Sequence, residues 1–324
     1  MTGDFYRDKK VLITGGAGFI GSHLTELLVA RGAQVTVPIR VKTKLDFLEG
    51  VRDKISIIPA DLTDPAATDK IMQGQEIVFN LAAAKGGGIL NSIKHQASLF
   101  RDNMAPFLNT LDSARTAGVE RFLVVSSACV YPKETSHPTP EEEGFKDAPE
   151  PSNAGYGWSK RMEEYLGRAY EEEFGMKIAI ARPFNAYGPR DDFFASTSHV
   201  IPGLIKRVLS GENPLVVWGS GSQTRSFLYV TDFAQGLLDV CEKYAVADPL
   251  NLGSSEEISI GNLARLLIEL TGSKAEIVFD TSKPDGQPRR TCDVSKAERE
   301  IGFRAAVSLK EGLAKTIDWY KSKL

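Results

Sequence analysis

Val11-Leu12-Ile13-Thr14-Gly15-Gly16-Ala17-Gly18-Phe19-Ile20-Gly21 decides how this chain is read. An apolar run of strand length passes straight into glycines spaced GxxGxxG, and these open a helical pattern over 19–31. Gly15 would make the tight turn, Gly18 would let backbone approach a pyrophosphate, and Gly21 would let helix pack on sheet. The helix N-terminus then presents N–H groups to an anion. A plain strand-to-helix turn shares these glycines. Their place in the first βα unit favours a dinucleotide site built from Gly15, Gly18, Phe19, Ile20 and Gly21.

Working outward, Gln34-Val35-Thr36-Val37, Ile55-Ser56-Ile57-Ile58, Glu76-Ile77-Val78-Phe79, Phe122-Leu123-Val124-Val125 and Ile178-Ala179-Ile180-Ala181 read as further strands. Long helical stretches lie near 93–117 and 155–174. Such alternation implies a parallel sheet covered on both faces. Right-handed crossovers make it an α/β, Rossmann-type doubly wound sheet. After about residue 186 the pattern loosens. Short strands at 215–218, 226–229 and 276–279 mix with helices near 200–210, 231–245, 259–271 and 308–322. The expectation is a dinucleotide-binding domain over 1–186 and a smaller mixed α/β substrate domain over 187–324, with some later strands returning to the first sheet. Ser308 and Glu311 fit a capping box. The loops at 132–152 and 281–290 mix Pro and Gly with charged and aromatic residues, and read as functional inserts.

Composition narrows the function. The 324 residues carry 39 basic and 42 acidic side chains, for a net charge of −3. That balance argues against a nucleic-acid partner, which needs a basic excess. No apolar run approaches the ~20 residues that span a bilayer, and Met1-Thr2-Gly3-Asp4-Phe5-Tyr6-Arg7 has no signal-peptide core. Cys129, Cys241 and Cys292 are too scattered for a disulfide framework or a metal site. A cytoplasmic enzyme or binding protein without metal is expected.

The end of the second strand reports on the cofactor. NAD sites usually place an acid there for the ribose 2′-hydroxyl, but this chain reads Val37-Pro38-Ile39-Arg40-Val41-Lys42. Arg40, with Lys42 nearby, suits a 2′-phosphate and favours NADP(H). A solvated Arg40 and NAD(H) is the alternative. Asp61-Leu62 suits the adenine end, and Asn80-Leu81-Ala82-Ala83-Ala84 is small enough to admit the cofactor's middle, beside Ala82 and Ala83. Tyr156 and Lys160 are four apart and share a helix face. The ammonium is expected to lower the phenol's pKa and make it a proton donor or acceptor near neutral pH. Lys160 would also hold the nicotinamide ribose. Ser127, just after a strand, could hydrogen-bond the reacting oxygen.

Gly15–Gly21, Asn80–Ala83, Ser127, Tyr156 with Lys160, Arg182-Pro183-Phe184-Asn185-Ala186-Tyr187-Gly188-Pro189 and Arg225-Ser226-Phe227-Leu228-Tyr229-Val230-Thr231-Asp232 together resemble the extended short-chain dehydrogenase/reductase superfamily. The resemblance covers essentially the whole chain. It implies a nucleotide-diphosphate sugar as substrate, Arg225 on its diphosphate, and a homodimer built on the helices near 93–117 and 155–174. A plain strand with a helix cap at Asp232 fits the same residues. Ser126-Ser127-Ala128-Cys129-Val130-Tyr131-Pro132 lacks the Asp-Glu pair of the 4,6-dehydratases, so dehydration is disfavoured. Cys129 resembles the base of the GDP-L-fucose synthase and GDP-mannose 3,5-epimerase families. Ser196-Thr197-Ser198-His199-Val200-Ile201-Pro202 is similar to the synthase segment that holds the acid histidine. Ala83-Ala84-Lys85-Gly86-Gly87-Gly88-Ile89, Val216-Val217-Trp218-Gly219-Ser220-Gly221 and Ser282-Lys283-Pro284-Asp285-Gly286-Gln287-Pro288-Arg289-Arg290 are also similar to it, the last most specifically. By this likeness Asn185, Arg207, Trp218 and Arg289 stand with Arg225 at the substrate. The glycine turn and Gly86 depart from the usual synthase pattern.

A 4-keto sugar has acidic C–H bonds at C3 and C5, so inverting either needs a base on one face and an acid on the other. A thiolate beside positive charge can be the base, and an imidazole can return the proton. The resemblance thus implies 3,5-epimerisation of a GDP-4-keto-6-deoxy-hexose followed by NADPH-dependent reduction at C4. An epimerase with tightly held NAD and no net reduction remains open, as does a non-catalytic dinucleotide sensor. His23, His95 and His137 have no supporting context. Cys241 reads as core, and Cys292 is undecided.

Overall fold

Strand alternation sorts the first part of the chain into two packed faces. The computed structural model describes residues 4–84, 89–194, 198–283 and 287–324. Strands β1 (Lys10–Thr14), β2 (Gln34–Ile39), β3 (Ile55–Pro59), β4 (Ile77–Asn80), β5 (Arg121–Val125) and β6 (Ile178–Pro183) join one sheet in the order β3-β2-β1-β4-β5-β6. A seventh strand, Pro249–Leu252, lies beyond β6, and every neighbouring pair is parallel. The helices are α1 (Phe19–Ala30), α2 (Pro65–Met72), α3 (Ile89–Lys94), α4 (Gln96–Ala117), α5 (Ala154–Phe174), α6 (Val200–Leu209), α7 (Val230–Lys243), α8 (Ile260–Thr271), α9 (Ser295–Ile301) and α10 (Leu309–Lys321).

Successive strand residues point to opposite faces. Val11, Ile13, Val35, Val37, Ile77 and Phe79 therefore pack against α1 and α7 through Leu24, Leu28, Phe233 and Leu237. Leu12, Val78, Phe122, Val124 and Ile178 pack on the other face against Ile71 of α2 and Phe107 and Leu111 of α4. Each such side chain contributes about 1.5–3 kcal/mol when fully buried. Strand order reverses between β1 and β4, which opens a crevice at their C-terminal ends. The doubly wound expectation is met.

The later chain builds a smaller mixed unit whose core joins Ile201 and Ile205 of α6, Leu263 and Leu267 of α8, and Leu313 and Ile317 of α10. Leu215–Trp218 pairs in parallel with Ile277–Asp280. The strand expected over 226–229 is two pieces. Thr224–Ser226 lies between Glu257–Ser259 and Arg289–Arg290, whereas Leu228–Tyr229 joins Ala186–Tyr187. Phe227 turns instead into the smaller unit's core. The helix expected near 93–117 is also interrupted, because His95 leaves helical geometry at φ −124°.

Two caps differ from expectation. Tyr229 is the N-cap of α7, so Asp232 already lies inside the helix; its carboxylate accepts from Ala306 N and Val307 N at 2.9 Å each. It ties α7 to the approach of α10. Ser308 does accept from Glu311 N at 3.3 Å, but the Glu311 carboxylate pairs with Lys315 at 2.7 Å, which leaves half a capping box. Among the described residues no helix is long and apolar enough to cross a membrane, and no cluster of His, Cys, Asp and Glu could hold a metal.

Candidate active site

The glycine turn is held open by its neighbours. Gly15 takes φ +69°, and a Cβ there would stand 3.1 Å from Ala82 N. A Cβ on Gly21 would meet Gly15 O at 2.1 Å, so this glycine lets α1 close on the turn itself rather than on the sheet, as expected from sequence. Gly18 is the N-cap; no side chain among the described residues caps it, and the first turn has no acid. Phe19 and Ile20 follow it, half-buried. Thr14 Oγ1 donates to Asn80 Oδ1 at 2.9 Å and accepts from Leu81 N and Ala82 N at 3.0 Å. Asn103 of α4 grips Ala84 through both N–H and C=O, at 3.0 and 2.9 Å. Ala82 and Ala83 thus form a fixed wall opposite the turn. A cradle that a side chain would fill, facing an uncapped helix N-terminus, fits a dinucleotide pyrophosphate.

Arg40 stands exposed beyond β2, in a turn where its N–H donates to Thr43 Oγ1 at 3.1 Å. Asp61 lies beyond the neighbouring β3. Hydrogen bonds from the Thr63 N–H and hydroxyl hold its carboxyl below the ordinary value, and the Arg40 charge adds to that pull. Leu62 follows, its carbonyl accepting from Asn109 at 2.9 Å.

Ser127, Tyr156 and Lys160 come together at the end of β5. Ser127 caps a short 3-10 turn, Ala128–Val130, and accepts from Cys129 N at 3.2 Å. A Cβ on Gly157 would lie 2.5 Å from Cys129 O, so glycine there lets α5 lie against this turn. Lys160 is 2% exposed and donates to Val125 O at 3.0 Å and to Glu163 at 2.8 Å. Its ammonium lies 5.7 Å from the Tyr156 ring centre. The expected drop in the phenol's pKa is overturned. Burial pushes Tyr156 above its ordinary value, against the pull of Lys160 and of a hydrogen bond with Ser127, while Cys129 and Glu163 push it further up.

Cys129 has two neighbours that the sequence did not announce. Asn153 Nδ2 lies 3.1 Å from its sulfur and Arg290 Nη2 lies 3.5 Å away. A small cavity beside the thiol is lined by Tyr131, His137, Glu150, Asn153, Phe184 and Arg290. His199 is not in that lining. It is exposed at the N-cap of α6, just after residues outside the description. Ser196 and Thr197, the stretch Lys85–Gly88, and Pro284, Asp285 and Gly286 of the quoted motifs also lie outside the described residues.

The expected substrate contacts divide. Arg225 is half-buried, with Nη1 donating to Thr224 O and Gln287 O; burial first and the Arg290 charge second lower its pKa to about 10. Arg207 is instead committed to Glu212 and to Val216 O, and Arg289 to Glu257 at 2.8 and 2.7 Å. Neither was legible as an ion pair, because neither Glu212 nor Glu257 belongs to a motif. Asn185 takes φ +40° and donates to Ser226 O at 2.8 Å, joining two short strands. Trp218 is 56% exposed at the end of its strand. The signals missed in sequence were small: Thr14 precedes the glycines, Glu163 sits three after Lys160, and Arg290 sits next to the residue chosen.

A doubly wound sheet with a glycine cradle after β1 and serine, tyrosine and lysine gathered at the end of β5 defines a class of nicotinamide-dependent enzymes. Residues 11–253 match the NAD dependent epimerase/dehydratase family, and the chain belongs to it. Probable GDP-L-fucose synthase 1 of Oryza sativa subsp. japonica is 36% identical to it, over 98% of this chain and 94% of that protein. UDP-glucose 4-epimerase of Thermotoga maritima, solved with UDP-glucose, superposes with a TM-score of 0.86 at 28% identity, covering 97% of this chain and 99% of its own. A GDP-L-fucose synthetase from Naegleria fowleri superposes with a TM-score of 0.80 at 27% identity, covering 98% and 94%.

Proposed function

We propose that this chain is a nucleotide-sugar epimerase/reductase that inverts C3 and C5 of a GDP-4-keto-6-deoxy-hexose and then reduces C4. The observation that carries the reading is the Cys129 thiol, set two residues past Ser127 and against Arg290, beside the Tyr156 and Lys160 pair. The residues present fit a dinucleotide, which supplies hydride when bound; NADPH is favoured because Arg40 stands where an acid would hold NAD.

Each residue then has a proton task. Cys129, beside the Arg290 guanidinium, is the base that removes the proton from C3 or C5. His199 delivers a proton to the opposite face. Ser127 holds the C4 oxygen, and Tyr156 gives it a proton as the ketone becomes an alcohol. Arg225 and Arg290 are close enough to repel, and a diphosphate between two such cations relieves that repulsion. We therefore assign the diphosphate to them ahead of Arg207 and Arg289, with Asn185 and Trp218 beside the nucleotide sugar.

In this reading residues 1–186, with Pro249–Leu252 added to their sheet, bind the dinucleotide, and most of 187–324 binds the sugar nucleotide. A homodimer through α4 and α5 and a cytoplasmic setting complete the proposal; Cys129, Cys241 and Cys292 are free thiols. Neither metal, nucleic acid nor membrane enters it.

The test is incubation with 4-keto nucleotide sugars and NADPH in deuterated water. Deuterium at C3 and C5 with stoichiometric NADPH consumption is expected. Exchange without consumption would make the protein an epimerase, and neither would leave a dinucleotide sensor. Cys129→Ser should suppress exchange at both carbons, and normal exchange in that variant would reduce Cys129 to packing.

A further inference from the structure

Lys160 and Glu163 form an ion pair inside the protein. Nζ and Oε2 are 2.8 Å apart, and the two side chains are 3% and 1% exposed. The spacing of three puts both on one face of α5. A single buried ammonium beside the Tyr156 ring would favour the phenolate strongly, because little water screens it. With a carboxylate at 2.8 Å, the phenol meets a dipole whose field falls off faster.

Other groups bear on the phenol as well. Cys129 faces it from the turn after β5 and also pushes it up, and the neutral Ser127 hydroxyl pulls it down through a hydrogen bond. Glu164, next along α5, is already held by Arg182 of β6 at 2.8 and 2.7 Å. Arg161 lies on the same helix but points its Nε to Val130 O at 2.8 Å.

We infer that Glu163 is a positioning residue of the proton-handling pair: its buried carboxylate converts the Lys160 ammonium from a lone charge into half of an ion pair, and so adds to burial in holding Tyr156 as a neutral proton donor. The inference rests on Tyr156 and Lys160 having the roles proposed above. A phenol serves reduction of a ketone, whereas a phenolate serves oxidation of an alcohol, so Glu163 biases this site toward reduction. The directions agree. Burial alone would lower Lys160, and Glu163 leads the groups that raise it instead.

The experiment titrates Tyr156 by ultraviolet difference spectroscopy on the full chain, subtracting the Tyr156→Phe spectrum to isolate its phenolate. Glu163→Gln should lower the midpoint by about one unit, giving about tenfold more phenolate at any pH below it. An unmoved or raised midpoint overturns the inference, even if the variant melts earlier, since a purely structural role would change only the melting. Should that variant fail to fold, Lys160→Met with Glu163→Gln removes both charges together. Its midpoint should rise less than that of Lys160→Met alone; an equal rise would show that Glu163 never offset Lys160. No substrate is involved, so full turnover by Tyr156→Phe would sink the functional reading while the titration result stood by itself.

Discussion

Tyr156 shows burial and charge competing over one proton. A lysine four residues on predicts an acidic phenol, yet the same packing that brings Lys160 close also strips water from both and brings Glu163 to the ammonium. Desolvation wins. Tyr156 is therefore expected to act as an acid that keeps its proton, and Tyr156→Phe should cut turnover by about 10²–10⁴-fold. Cofactor affinity, followed by fluorescence titration, should stay near that of the parent. Turnover within tenfold of the parent would remove Tyr156 from the chemistry. Arg40 is the residue-scale test of cofactor choice: it is exposed and near Asp61, and no acid replaces it at the end of β2. Arg40→Ala should reduce the preference for NADPH over NADH by about tenfold or more, the size of one charge-assisted contact. An unchanged ratio of the two affinities would mean that Arg40 is only a surface charge.

At the scale of elements, the sheet around Thr224–Ser226 is closed by one side-chain tie. Arg289, on one flanking strand, grips Glu257, on the other, at 2.8 and 2.7 Å. Hydrogen bonds from Arg289 and then Thr224 hold the Glu257 carboxyl below its ordinary value of 4.5. A carboxyl depressed in the fold stabilises fully above its unfolded value, and that contribution disappears as pH falls through the folded value. The pair is partly exposed, so solvent screens it and the contribution is small. Glu257→Gln should change stability little at pH 7 and flatten its decline below pH 4.5, measured by urea unfolding. The same steep decline in the variant would show that the tie holds nothing.

For the whole molecule, the return of Pro249–Leu252 to the first sheet is the main seam. Asn251 on that strand is completely buried. Its N–H donates to Glu141 at 2.8 Å, its amide donates to Thr139 O and Asp293 O at 3.0 and 3.1 Å, and its oxygen accepts from Tyr131 at 2.6 Å. Tyr131 and Thr139 line the cavity at Cys129, so this one side chain joins the sheet edge to the candidate site. Asn251→Leu removes the acceptor of the Tyr131 hydroxyl and one partner from each of two carbonyls. At about 1–3 kcal/mol per unsatisfied buried group, a loss of about 2 kcal/mol or more is expected in urea unfolding. Faster hydrogen exchange should accompany it over 132–152. A loss below about 0.5 kcal/mol, the level of an ordinary surface change, would show that the seam does not depend on Asn251.

The sequence by itself determined whatever depends on local period and spacing. An apolar run marked Val11, Leu12 and Ile13 as a strand, three glycines marked the turn beyond it, and a spacing of four put Tyr156 and Lys160 on one helix face. Tertiary structure decided what covers each of these. Arg290 reaches Cys129 across 161 residues of chain, and Asn153 reaches it across 24. Phe227 breaks an expected strand because the second core claims its ring, and Arg207 and Arg289 meet carboxylates that no motif contains. Period records which face of an element is apolar, but it carries no information about which distant element will bury that face or balance its charge. That choice is made by the summed burial and charge compensation of the folded chain.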